Sequence, residues 1–440
     1  MSLPASFQKF FQQQNSTAAY WIAFSGGMDS HVLLHLLAQL RQMMPLQLRA
    51  IHINHSLSPH ADSWSEHCAR ICKQHDIALT QIKVNAQPAS GASPENAARI
   101  ARYAAITPFI AANDILLTAH HQDDQAETLL LQLCRGAGPK GLAAMPLIKK
   151  FGTGQLARPL LNFSRQQLLD YACQHHLSWI EDESNANKHF SRNFIRHEVL
   201  PVLQQRWPQI TATLARSASV CGEAQQLLDE MAAHDLAAVA GSRAQTLSVS
   251  SLLALSPKRQ RQILRFWLRD LGFTVPSVIR LKQIQQDMLA ARADRQPLMA
   301  WPGVELRRFR NNLYALAPLP THDPRQVYPW QWVDSLPLSG VGELRAQAVT
   351  GNGIAANLQN VTVRFRQGGE ICRLPARDCT HELKKLFQAW QIPVWERERI
   401  PLIYAGEQLV AAVGYFIDPE YSAKKDEVGY LLKLSPEQHQ

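Results

Sequence analysis

Ser25-Gly26-Gly27-Met28-Asp29-Ser30 is the stretch whose reading decides the fold. It follows Ala19-Tyr20-Trp21-Ile22-Ala23-Phe24, an apolar, aromatic segment that predicts a buried strand. It precedes His31-Val32-Leu33-Leu34-His35-Leu36-Leu37-Ala38-Gln39-Leu40, where apolar residues recur at helical spacing. A glycine turn between a buried strand and a helix N-terminus lets backbone N–H groups approach an anion with no Cβ in the way. The helix dipole favours negative charge at the same point. Ser25, Gly26, Gly27, Met28 and Ser30 are therefore the expected nucleotide contacts. Asp29 is the expected holder of a magnesium ion against the phosphates. The plainer reading is a strand–helix turn that merely needs glycine.

Outward from this turn, strand and helix alternate from about Ala18 to Arg135. Leu46–Asn54 and Leu79–Val84 read as strands and Ala61–His75 as a helix, with Asp62 as its cap. Ser93-Pro94-Glu95 opens a further helix with cap, proline and acid in order. Asp114–Thr118 is a fourth strand and Gln122–Cys134 another helix. Repeated strand–helix units predict an α/β fold: an N-terminal doubly wound parallel sheet with ligands at the carboxyl ends of its strands. Beyond it, helical patterns at Ser217–Val239, Pro257–Leu271 and Pro276–Ala293 predict a mostly helical domain. Short strands, glycine turns and one helix near His381–Trp390 predict a small α+β C-terminal domain. The expected boundaries are 1–215, 216–317, a proline-rich linker at 318–335, and 336–440.

The 440 residues suffice for two or three domains with their own cores. An excess of 45 Lys and Arg over 36 Asp and Glu favours a polyanionic partner. Seven scattered cysteines, with no Cys-x-x-Cys pair, do not make a disulfide framework, a zinc ribbon or a cysteine-held cluster. No apolar run reaches membrane-spanning length, so a soluble, cytoplasmic protein with no membrane partner is expected.

A second chemical segment is Thr118-Ala119-His120-His121-Gln122-Asp123-Asp124-Gln125-Ala126-Glu127-Thr128. Asp124 and Glu127, three apart, share a helical face. With His120 or His121 at the strand end, they suit a metal, a substrate ammonium, or proton transfer from an amine. N-terminal capping accounts for one acid but not for the whole set. His52 and Asn54, ending the second strand in His52-Ile53-Asn54-His55-Ser56-Leu57, are expected to meet adenosine or phosphate. Arg99 and Arg102 are expected to steady a carboxylate or phosphate, a solvated helix face being the alternative.

The glycine turn has neither the lysine of a P-loop nor the third glycine of the dinucleotide fingerprint. It resembles the SGGxDS loop of the ATP pyrophosphatases, which cleave ATP at the α-phosphorus. Taken with His52–Leu57, Glu95–Tyr103, Thr118–Gly136, Arg158-Pro159-Leu160-Leu161 and Trp179–Pro201, the chain resembles the tRNA(Ile)-lysidine synthetases. The last of these stretches contains Glu181-Asp182, Ser184-Asn185, Arg192-Asn193 and Arg196. Gly368-Gly369-Glu370 and Lys384-Lys385-Leu386-Phe387-Gln388 resemble that family's C-terminal domain. Ser58-Pro59-His60 departs from many relatives, which carry a basic residue after the leucine.

The resemblance implies a two-step ligation with ATP and Mg2+. ATP adenylates the C2 oxygen of the wobble cytidine of a CAU-anticodon tRNA(Ile), and the ε-amine of free L-lysine displaces AMP. It implies that Asp29, Arg99, Arg102, His120, Asp124 and Glu127 serve catalysis. Lys258, Arg259, Arg364, Arg366, Arg373, Arg377, Lys384 and Lys385 form basic segments expected to contact tRNA phosphates, although each also suits a solvated face. A homodimer is left open, as are the tRNA elements read, the rejection of tRNA(Met), and whether Gly136–Gly141 is a lid. Two rival readings remain at this point. One is a tRNA thiolase of the same loop class using Cys134 or Cys173; the other is a tRNA-binding protein without catalysis, while small-molecule ligation on an adenylated carboxylate is disfavoured by the long basic C-terminal half.

Overall fold

A computed structural model describes residues 3–13, 18–54, 60–84, 94–183, 187–292, 295–332, 335–374 and 380–436. His55–Leu57, the cap Ser93, Ser58-Pro59, Ser184-Asn185 and Arg377 lie outside the described residues. The chain divides into two compact units, Met1–Glu230 and Met231–Gln440.

In the first unit α1 (Leu3–Gln12) precedes β1 (Ala19–Ala23), α2 (Met28–Arg41), β2 (Gln47–Asn54), α3 (Ala61–Gln74), β3 (Ala78–Lys83) and α4 (Pro94–Ile106). Then come β4 (Ile115–Leu117), α5 (Gln122–Cys134), α6 (Pro139–Leu142), β5 (Ile148–Phe151), β6 (Gly154–Ala157) and α7 (Arg165–Gln174). Six strands lie in the order β3-β2-β1-β4-β6-β5. All neighbours are parallel except β5, which runs antiparallel to β6. The chain moves from β1 outward to β3, then returns to β4 on the other side of β1. The topological switch point is therefore the crevice between β1 and β4, where sheets of this kind bind ligands.

Burial on both faces explains why β1 is apolar throughout. Tyr20, Ile22 and Phe24 join a core with Phe7 and Phe11 of α1, Leu33, Leu34 and Leu37 of α2, and Leu168 of α7. Trp21 points to the opposite core with Ile51, Ile106, Leu116 and Leu156. Each fully buried leucine contributes roughly 1.5–3 kcal/mol by leaving water, so α2 is held firmly behind its glycine turn. Two details differ from the sequence expectation. The N-cap of α3 is His60, and Asp62 instead accepts hydrogen bonds from Asn54 and pairs with Lys83. The hairpin β5–β6 was not expected, because Lys149-Lys150 break its apolar pattern; Gly152, with φ +56°, makes its turn.

The second unit has a four-stranded antiparallel sheet (247–248, 298–301, 304–309, 312–316) packed with helices at Val249–Leu253, Pro257–Asp270 and Val278–Gln283. Beyond it lie a five-stranded and a four-stranded antiparallel sheet, sharing a core of Trp330, Trp332, Leu344, Val363, Ile403 and Val410.

Behind the glycine turn, α2 carries a histidine that acid should disturb. The His35 imidazole hydrogen-bonds the Tyr171 hydroxyl at 2.9 Å, and its ring centroid lies 5.0 Å from His175 and 5.5 Å from His75. Burial, followed by His175, His75 and His31, brings its pKa down to about 4. Its folded value lies below its unfolded value of 6.5. The stability it contributes is thus fully present above pH 6.5 and is lost as pH falls toward 4. We expect His35→Gln to narrow the drop in melting temperature across that window. A pH profile parallel to that of the parent protein would exclude His35 as its source.

Candidate active site

Phe24 leaves β1 by donating its N–H to the Ile51 carbonyl at 2.9 Å, and the chain then turns at Gly26, whose φ is +84°. A side chain there would be strained, and its Cβ would lie 2.8 Å from Ile180 Cδ1 and 3.0 Å from Cys68 Sγ. The Gly26 carbonyl accepts the Ile180 N–H at 3.0 Å, so the 179–180 segment braces the turn. Gly27 is extended and caps α2 without a side chain. The N–H groups of Met28, Asp29 and Ser30 occupy the first turn, where a helix has no internal acceptors. Ser30 Oγ lies 3.0 Å from Ser25 Oγ and donates to the Gly27 carbonyl at 2.9 Å, closing the loop into a cradle. Ser25 is exposed, whereas Met28 and Ser30 are buried.

His52 and Asn54 are buried and engaged within the protein. His52 Nδ1–H donates to the Phe24 carbonyl at 2.8 Å, pinning the strand end that feeds the cradle. Burial lowers its pKa, keeping the ring neutral. Asn54 Nδ2 donates to Asp62 Oδ1 and Ser65 Oγ at 3.0 and 3.1 Å, tying β2 to α3. Arg99 and Arg102 are exposed on α4.

The second chemical segment leaves β4 beside the cradle. His121 is buried and sits among three carboxylates: Nε2 is 3.6 Å from Asp29 Oδ2 and 3.5 Å from Asp124 Oδ2, and Nδ1 is 3.6 Å from Asp123 Oδ2. Burial opposes its charge, but Asp124, Asp123 and Asp29 together push its pKa up to about 10. Its neighbour behaves oppositely. His120 bonds the Thr118 hydroxyl at 2.8 Å, and burial, with Arg158 and Arg192, brings it down to about 3. The pair thus presents one imidazolium and one neutral ring.

Asp124 and Glu127 lie together on α5, as their spacing predicts, and both are buried. Two arginines that the sequence reading placed only by resemblance meet them. Arg192 Nη2 donates to Asp124 Oδ1 at 2.8 Å and its Nε to Glu127 Oε2 at 2.7 Å. Arg196 Nε donates to Glu127 Oε1 at 2.6 Å and its Nη2 to Asp124 Oδ1 at 3.2 Å. They lie four apart, on α8 (Ser191–Phe194) and the π-helical turn Ile195–Val199 that follows it. That spacing marks one helix face, but a partner 65–72 residues away is not written in it. Burial works against the Asp124 carboxylate, yet His121 and Arg192 hold its pKa below the usual range. Asp29 keeps one buried oxygen, Oδ1, without a hydrogen-bond partner among the described residues. A hard oxygen beside a phosphate cradle fits a magnesium ion.

Of the expected tRNA contacts, Lys258 and Lys384 are exposed. Arg259 pairs with Asp235, Arg364 with Glu407 at 3.0 Å, Arg366 with Glu370 at 3.7 Å and Lys385 with Glu382 at 2.9 Å.

A glycine cradle at the switch point of a parallel sheet defines a PP-loop nucleotide-binding protein, and a family model described as the PP-loop domain matches residues 2–203. The TilS substrate binding domain matches 247–314 and the TilS substrate C-terminal domain 361–434. The tRNA(Ile)-lysidine synthase of Coxiella burnetii is 45% identical over 436 residues, covering 98% of this chain and 97% of that protein. The protein of the same name from Serratia proteamaculans is 46% identical over 404 residues, covering 90% and 91%. Among solved structures, the U34-tRNA thiolase NcsA from Methanococcus maripaludis aligns with 49% of this chain and 76% of its own at 16% identity, with a TM-score of 0.43. The chain belongs to the tRNA(Ile)-lysidine synthase family.

Glu127 has no exposed surface and pairs with two arginines. Glu127→Ala should cost about 3 kcal/mol by removing the acceptor of both arginine Nε groups and leaving two guanidiniums to share Asp124. The measurement is the denaturant midpoint at constant slope, and an unshifted midpoint would show that the pairs add nothing to stability.

Proposed function

We propose that this chain is an ATP-dependent ligase that joins free L-lysine, through its ε-amine, to C2 of the wobble cytidine of a CAU-anticodon tRNA(Ile). The observation that carries the reading is the meeting of an open phosphate cradle with the carboxylate–arginine cluster at one switch point. The relatives named above, matched over nearly their full length, support the substrate assignment.

Ser25, Gly26, Gly27, Met28 and Ser30 grip the phosphates through backbone N–H groups and hydroxyls, with His52 and Asn54 shaping the floor beneath them. Asp29 is the residue to hold Mg2+, which would neutralise the departing pyrophosphate. The C2 oxygen of cytosine attacks the α-phosphorus, a P–O bond forms, and pyrophosphate leaves. The lysine nitrogen then attacks C2, forming a C–N bond as the C–O bond to AMP breaks. A free lysine amine is about three units too basic to be neutral at pH 7. Asp124 and Glu127 are assigned to receive the ammonium, Asp124 as the accessible acid and Glu127 from behind it once Arg192 and Arg196, which hold the same oxygens, give way. Those guanidiniums and the His121 imidazolium oppose a further positive charge, which favours release of the ammonium proton to water and leaves the amine nucleophilic. Neutral His120, bonded to the Thr118 hydroxyl, stands near enough to Asp124 to feel its charge, and Arg99 and Arg102 steady an anion.

We assign chemistry to residues 1–215 and tRNA binding to 216–317 and 336–440 around a linker at 318–335. The setting is cytoplasmic, and a homodimer is compatible with the reading. Among the described residues no helix is long and apolar enough to cross a membrane.

The deciding experiment incubates the protein with tRNA, ATP and radiolabelled lysine. Label should enter the RNA as AMP appears, and Asp124→Ala should abolish transfer by at least a hundredfold while tRNA still binds. AMP release without lysine uptake would point to a thiolase-type activation; tight binding with no AMP would leave a binding protein. Separately, replacing both Arg364 and Lys384 with glutamine should raise the tRNA KM and flatten its salt dependence, each lost phosphate contact reducing the slope by about one. An unchanged slope would remove both from the interface.

A further inference from the structure

Arg158 follows directly on β6 and is 2% exposed. One of its Nη atoms donates to the Pro146 carbonyl at 2.7 Å, but its Nε has no hydrogen-bond partner among the described residues. The β6 end lies next to β4, where the Thr118 N–H donates to the Ala157 carbonyl at 3.0 Å. Two further cations gather at the ring of Tyr103: Arg99 Cζ lies 5.9 Å from its centroid and Lys149 Nζ 5.7 Å. Burial lowers the Lys149 pKa, and Arg158 and Arg99 add to the effect, so the three charges feel one another. Among the described residues no carboxylate stands within ion-pair distance of any of them. Asp124 acts on Arg158 only from beyond ion-pair distance, so like charges gathered here are costly, and cation–π contact with Tyr103 offsets only part of that cost. Such an arrangement suits an incoming anion.

We propose that Arg99, Lys149 and Arg158 form an oxyanion subsite, separate from the nucleotide cradle, that binds an oxyanion of a non-nucleotide substrate. The inference rests on the ligase reading, which supplies two such groups: the α-carboxylate of lysine and an RNA phosphate flanking the target cytidine. β6 lies two strands from β1, roughly 10 Å away, so the subsite is offset from the glycine turn.

Equilibrium binding tests this without relying on turnover. The full-length protein, Lys149→Gln and Arg158→Gln are titrated with lysine, with pentane-1,5-diamine, which lacks the carboxylate, with tRNA at several salt concentrations, and with ATP. If the carboxylate binds here, the lysine Kd rises about tenfold while the diamine Kd stays constant. If the phosphate binds here, the tRNA Kd rises about tenfold, its salt slope falls by about one, and the lysine Kd holds. Either result supports the subsite. Unchanged Kd values in a Lys149→Gln protein of normal melting temperature, or a rise confined to ATP, would overturn it. Lys149→Gln carries the test if Arg158→Gln fails to fold. Failure of the parent protein to label tRNA would instead sink the ligase reading, so the two failures are distinguishable.

Discussion

Burying a carboxylate is costly unless cations come with it, and that constraint organises the catalytic face of this protein. Glu127 is wholly enclosed and Asp124 nearly so. Arg192 and Arg196 close over both, and those hydrogen bonds hold the helix at 191–199 onto α5. His121 makes the corresponding link on the other side. It joins Asp123 and Asp124 of α5 to Asp29 of the cradle helix, so the two chemical segments share one electrostatic network.

The network also divides labour between adjacent residues of one type. Three carboxylates stabilise a positive charge on His121, whereas burial near Arg158 and Arg192 removes it from His120. A single His-His dipeptide therefore supplies a fixed cation and a neutral ring. The arginines pair with the buried acids and, with the His121 imidazolium, oppose an added positive charge there.

Much of the architecture was legible because it depends on local chemistry. A glycine at φ +84° between a two-faced apolar strand and an apolar helix has few uses, and the alternation of strands and helices fixed the parallel order. Helix α5 was expected at Gln122–Cys134 and lies there. The β5–β6 hairpin was illegible because lysines mask a short edge strand. Asp62 was misread as a cap because an acid in a first helical turn has several partners open to it, and Lys83 and Asn54 are supplied by distant strands.

By itself, then, the sequence determined the strand–turn–helix, its place at the head of a parallel sheet, and the acids three apart on one helix face. Periodicity, glycine stereochemistry and helix geometry operate over a few residues. Only the tertiary structure decided which charges meet. It gave Arg192 and Arg196 to Asp124 and Glu127, charged one histidine and not its neighbour, turned His52 and Asn54 inward, and gathered Arg99 and Lys149 about one ring. Coulomb energies and desolvation depend on distance through space and on exclusion of water, and neither is encoded in spacing along the chain.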